Sequence, residues 1–221
     1  MHELLDYFLH LDVHLQVFVE NYGPWVYGLL FAIIFAETGL VVTPFLPGDS
    51  LLFAAGALAA TSGGNLNVWA VFGLLTVAAV LGDAVNYAVG HLVGPRIFRA
   101  EDRTSFLHRL LNRDHLMQAH AFFERHGGKA VILGRFVPIV RTFVPFVAGC
   151  GSMSYPQFAL FNVAGALVWV GGCVGAGYAF GNIKTVKENF ELVVVGIVLV
   201  SVMPIAWGYI ANRMKREATE L

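Results

Sequence analysis

Charge is scarce in this sequence. Asp, Glu, Lys and Arg make up 13% of its 221 residues against 57% hydrophobic residues, and the mean hydropathy is +0.67, well outside ordinary soluble composition. The scarcity assigns the chain to lipid. Cysteine is nearly absent: Cys150 and Cys173 stand alone among small apolar residues, without zinc or redox spacing, and read as helix packing residues. Met1 to Gly23 has no Lys or Arg but carries Glu3, Asp6, Asp12 and Glu20, so it lacks the basic n-region of a cleavable signal and is expected to be retained. There is no nucleic-acid footprint. His108, His115, His120 and His126 lack a ligand-like grouping and read as solvated linker residues, so no metal site is expected. No nucleophile-base set, nucleotide loop or metal cluster is visible, so neither an enzyme nor a cofactor is expected.

What is present is long apolar sequence. Residues 68–92, 158–180 and 192–210 are each apolar over roughly 20 residues, the length that crosses about 30 Å of hydrocarbon. Two further apolar regions, 25–60 and 130–151, are interrupted. In the first, a run of about 12 residues meets Glu37, then Pro44, Pro47, Gly48 and Asp49, before apolar sequence resumes at Leu51. In the second, Arg135, Pro138, Arg141 and Pro145 break the chain. Broken helices need shelter in protein or a wet cavity, so both regions are predicted to be re-entrant helical hairpins. The competing reading of the first is an ordinary Pro-kinked helix.

Around these regions lie an amphipathic N-terminal segment over 1–24, with Leu4, Leu5, Phe8, Leu11, Leu15 and Phe18 at helical spacing, a linker over 94–129, and a basic tail over 212–221. The linker holds Arg96, Arg99, Arg103, Arg109, Arg113, Arg125 and Lys129, and the tail Arg213, Lys215 and Arg216, which places both in the cytoplasm and the acidic N-terminus outside. One external hairpin, one crossing, one cytoplasmic hairpin and two further crossings satisfy that rule. Residues 25–211 thus read as one all-α membrane domain, an inverted repeat of two opposed hairpins with spanning helices.

Glu37, Asp49 and Asp83 lie within or beside apolar sequence, as do Arg135 and Arg141. Charges there are costly unless paired or hydrated, and opposite signs on the two hairpins suggest a shared, partly wet cavity. A carboxylate in such a place exchanges protons, whereas arginine keeps its charge and offers a fork that fits a phosphate or carboxylate. Gly48-Asp49-Ser50 resembles a helix start, which adds N–H groups for an anion. The structural alternative is that the acids merely neutralise the arginines as buried ion pairs, with Asp83 a hydrogen-bond hub beside Asn86 and Tyr87. Gly90, Gly94, Gly171, Gly172, Gly175, Gly177 and Gly181 read as sites of close helix packing.

At these residues the chain resembles the DedA family of bacterial inner-membrane proteins, which share a domain with eukaryotic lipid scramblases. Phe35-Ala36-Glu37-Thr38-Gly39, Pro44-Phe45-Leu46-Pro47-Gly48-Asp49, Gly82-Asp83 with Tyr87, and the run from Gly134-Arg135 through Pro138 and Arg141-Thr142 to Ala148-Gly149 carry the likeness. It implies opposed re-entrant hairpins and movement of phospholipid-like substrates, undecaprenyl phosphate among them, with dependence on the proton motive force. It also implies that Glu37 and Asp49 occupy essential acidic positions, and Arg135 and Arg141 essential basic ones. The leading expectation is therefore a proton-linked inner-membrane lipid translocase. Arg135 and Arg141 would hold the headgroup, Glu37, Asp49 and Asp83 would handle protons, and a homodimer is the assembly considered. The alternative is a proton-coupled ion or small-cation antiporter. A membrane assembly or insertion factor explains the glycines but not the intramembrane arginines.

Overall fold

A computed structural model describes residues 11–39, 48–61, 66–99, 113–184 and 186 of the chain. Every regular element among them is helical: α1 Leu11–Gly39, α2 Gly48–Thr61, α3 Val68–Arg99, α4 Arg113–His126, α5 Lys129–Gly134, α6 Pro138–Val147, a π turn at Ala148–Ser152, and α7 Tyr155–Gly181. The expected span over 192–210, the tail, and the hairpin residues Pro44 and Pro47 lie outside the described residues.

Helices α3 and α7 contain apolar stretches long enough to cross a bilayer, Val68–Val93 and Tyr155–Gly181. Their exposure pattern is inverted relative to a soluble helix. Val77, Leu81, Val85 and Val89 form an exposed stripe at four-residue spacing on α3, while Thr76, Asp83, Asn86 and Tyr87 on the same helix are buried. On α7, Leu160, Val163, Leu167 and Val168 are exposed, whereas Asn162 and Trp169 are buried. Apolar side chains outside and polar ones inside are what a lipid environment selects.

Helix α1 passes through Pro24 without a break, so residues 11–24 of the N-terminal segment and the apolar arm that follows belong to one helix of 29 residues. Only Trp25–Gly39 is apolar, a stretch of roughly 22 Å. The second interrupted region does break, but at one of its two prolines. Val137, the residue before Pro138, is extended at φ −113°, ψ 108°, as sterics before a proline demand, and α6 begins with Pro138 in its first turn. Pro145 does not break the chain as expected: it lies inside α6, in the last turn, with the helix continuing to Val147. The helix loosens only beyond it, in the π turn where Gly151 has φ 112°.

Contacts along the chain separate two compact units, one of residues 1–26, 47–71 and 173–221, the other of 27–46 and 72–172. In the first, α2 buries Leu52, Ala55, Ala57 and Ala59, and Phe53 lies 5.6 Å from Phe180 at the end of α7. In the second, α6 is apolar and buried from Phe143 to Val147 and is the centre of a core. Ala119 and Phe123 of α4, Ala130 and Val131 of α5, Tyr87 of α3 and Phe158 of α7 complete that core. The polar linker of the sequence thus contains a helix, α4, with one face sealed against α6 and the other carrying its charges.

Candidate functional site

The site lies wholly within the second unit and is assembled from the end of α1, the break between α5 and α6, the body of α6 and the buried faces of α3 and α7. Glu37 comes from the last turn of α1, where the helix dipole disfavours a carboxylate and a cation must compensate. That cation is Arg141 of α6, whose Nη2 donates to Glu37 Oε1. The approach of α1 to α3 depends on glycine at Gly82, where a Cβ would collide with Thr38, whereas one at Gly39 would make ordinary contact with Gly82. Thr38 is held in turn by its own hydroxyl, which donates to the carbonyl of Ile34 at 2.8 Å.

Asp83 follows Gly82 on the buried face of α3. It accepts from Nη2 of Arg135 at 2.5 Å, and Arg135 stands in the break between α5 and α6. The same Nη2 donates to Asn162 Oδ1 at 2.6 Å, and Asn162 Nδ2 donates to the carbonyl of Val80 at 3.0 Å. Asn162 therefore ties the arginine of the break to α3 from α7. Gly165, one turn further along α7, leaves room for the arginine stem: a Cβ there would lie 3.1 Å from Arg135 Nε. One turn below Asp83, Asn86 Nδ2 donates to the carbonyl of Thr142 at 2.7 Å and points to that of Thr38 at 3.4 Å, joining the end of α1 to the middle of α6.

Two arginines and two carboxylates thus form a cluster of zero net charge. Glu37 is 1% exposed, Asp83 3% and Arg135 4%, so bulk water screens little of it. The indole of Trp169 on α7 spans both pairs, its ring centre 5.7 Å from Arg135 Cζ and 5.5 Å from Arg141 Cζ. Glu37, Thr38, Asp83, Arg135, Arg141, Thr142 and Trp169 enclose a cavity of about 10 Å³, room for about one water molecule. Among the described residues, Arg135 Nε and Asn86 Oδ1 are buried without a hydrogen-bond partner, a donor and an acceptor left for something else.

Of the residues singled out in the sequence, the structure brings Glu37, Asp83, Arg135 and Arg141 together. Asp49 belongs to the first unit, where it is exposed in the first turn of α2, and Gly48 is buried beside it. The acid that meets Arg135 is Asp83. Asn162 and Trp169 were not foreseen; the available signal was an amide in an apolar run and an indole seven residues later on the same helical face.

An all-α protein with apolar stripes outward and paired charges sealed inside is a polytopic membrane protein with an internal polar site. The chain matches the VTT domain over residues 46–179. It is 54% identical over 201 residues to Protein DedA of Escherichia coli (strain K12), covering 91% of this chain and 90% of that protein. It is also 40% identical over 192 residues to an uncharacterized membrane protein of Mycobacterium leprae (strain TN), covering 86% of this chain and 83% of the relative. A third relative, the inner membrane protein YghB of Escherichia coli (strain K12), is 36% identical over 181 residues, 82% of this chain and 78% of that one. The chain belongs to the DedA family of membrane proteins. No solved structure matches it significantly.

Proposed function

We propose that this protein is a proton-linked translocase of anionic lipids in the bacterial inner membrane, with undecaprenyl phosphate or a related anionic phospholipid as cargo. One observation carries the proposal: two arginines, Arg135 buried and Arg141 partly so, are held by ion pairs and line one cavity, in a protein whose described spanning helices carry exposed apolar stripes. A lipid phosphate needs a polar path for its head alone, because the tail can stay in the bilayer throughout. Arg135 and Arg141 supply forked donors for that head. Glu37, Asp49 and Asp83 supply the reversible charge, and the two interrupted regions act as opposed hairpins of an inverted repeat, with the N-terminus outside and the C-terminus in the cytoplasm. The protein works as a transporter rather than an enzyme and needs no cofactor.

The cation-antiporter reading is weakened by the same geometry, since Glu37 and Asp83 each already face an arginine. The deciding experiment is headgroup transport by purified protein in liposomes with and without a pH gradient, run beside an ion-sensitive dye. Gradient-dependent movement of a labelled lipid phosphate is expected. Dye response without lipid movement would replace the translocase with the antiporter.

A further inference from the structure

A phosphate cannot simply join this cluster. The cavity between the two ion pairs holds about one water, so an anion of several heavy atoms has no room beside the carboxylates that already occupy the arginine forks. Charge points the same way. The cluster sums to zero, and adding a dianion at such burial without compensation is prohibitive.

Resting on the translocase reading above, we propose that Glu37 and Asp83 are built-in counter-ions: an incoming lipid phosphate displaces them from Arg141 and Arg135, and each displaced carboxylate takes up a proton from water. The balance is complete. Two arginines and two carboxylates carry no net charge before binding; two arginines, a phosphate dianion and two neutral carboxylic acids carry none after it. On release the protons leave and the ion pairs re-form. Coupling then needs no separate proton site, because headgroup and proton compete through the same two guanidinium groups.

The surroundings fit that assignment. Glu37 on α1 is faced by Arg141 from α6, and the cavity adds Asp83 from α3 and Arg135 from the α5–α6 break. Asp83 is faced by Arg135, behind which stands the neutral Asn162 of α7. Among the described side chains of α3, the other titratable groups are engaged elsewhere, Tyr87 with the carbonyl of Met153 and His91 with that of Gly149. Arg135 Nε, buried and without a partner among the described residues, is a donor an anion can use once the carboxylate has moved.

The test is calorimetric. Farnesyl phosphate is titrated into purified full-length protein in two buffers of different ionisation enthalpy. The pH is 8, where a phosphate monoester with its second pKa about 6 is already dianionic. Binding with uptake of about two protons per phosphate is expected, with affinity falling as pH rises. Glu37→Gln and Asp83→Asn should each still bind, with uptake reduced by about one proton. Tight binding without proton uptake, or uptake unchanged in both variants, overturns the exchange but leaves the translocase standing. Absence of binding by the wild type removes the headgroup reading and the exchange with it. If one variant fails to fold, the other and the wild-type proton count still decide.

Discussion

Arg135 and Arg141 are six residues apart in sequence yet meet carboxylates from different helices, and that divergence makes their neighbours informative. Asn162 accepts from Arg135 and has no charge of its own, so its loss should loosen the arginine without stranding an ion. A hydrogen bond to a charged group is worth about 1.5–3 kcal/mol, so Asn162→Ala is expected to slow headgroup transport about tenfold or more while the protein stays monodisperse. Wild-type rates in that variant would show that Arg135 needs no positioning. Breaking the second pair is harsher: Glu37→Gln or Arg141→Ala should lower stability by about 3–5 kcal/mol through the charge left behind, read as a drop in thermal unfolding temperature in detergent. The reversed pair, Glu37→Arg with Arg141→Glu, should recover much of that stability but not transport, because the fork then projects from the wrong helix. The four charges were legible in the sequence because a charge in an apolar run stands out. Their pairing was not, since the partners of Arg135 and Arg141 are 52 and 104 residues away. Asn162 and Trp169 escaped notice because neutral residues raise no such signal.

At the scale of elements, the two prolines of the second interrupted region behave differently for a reason that residue type alone does not give. Pro138 stands where its predecessor is already extended, so its steric demand and the break coincide. Pro145 falls in the final turn of a short helix, so the single i→i−4 bond that it removes leaves only two helical residues beyond it to be redirected. Pro138→Ala should let α5 and α6 approach a single helix, carry Arg135 away from Asp83, and abolish transport. Pro145→Ala should retain most of it. Equal effects in the liposome assay would mean that the break is not set at Pro138. Two features lay beyond what composition shows. A helix can continue through Pro24 although its composition changes there, and the charged stretch after residue 112 can be a helix with one face buried, as α4 is. Composition reports solvent, whereas continuity is decided by backbone hydrogen bonds.

For the whole molecule, the charge rule and the outward apolar stripes make a topological prediction. Single cysteines introduced at residues 20, 105 and 216, with Cys150 and Cys173 replaced, should be labelled from outside at the first and from the cytoplasm at the other two. Labelling of residue 105 from the periplasm alone would invert the orientation. That the protein is an all-α membrane protein was plain from composition. The grouping into two units was not, because α1, α3 and α7 each pass from one to the other without a helix break.

The indole that lies against both arginines is also an instrument supplied by the protein itself. Trp25 and Trp69 are 76% and 77% exposed on the apolar surface, so their emission follows the lipid or detergent, while Trp169 is 3% exposed and reports on the guanidinium groups beside it. Subtracting the spectrum of Trp169→Phe from that of the wild type isolates a signal from the cluster alone. That difference should shift when a short-chain lipid phosphate binds and stay constant when the corresponding alcohol is added, which would turn an event hidden within the membrane into a fluorescence titration.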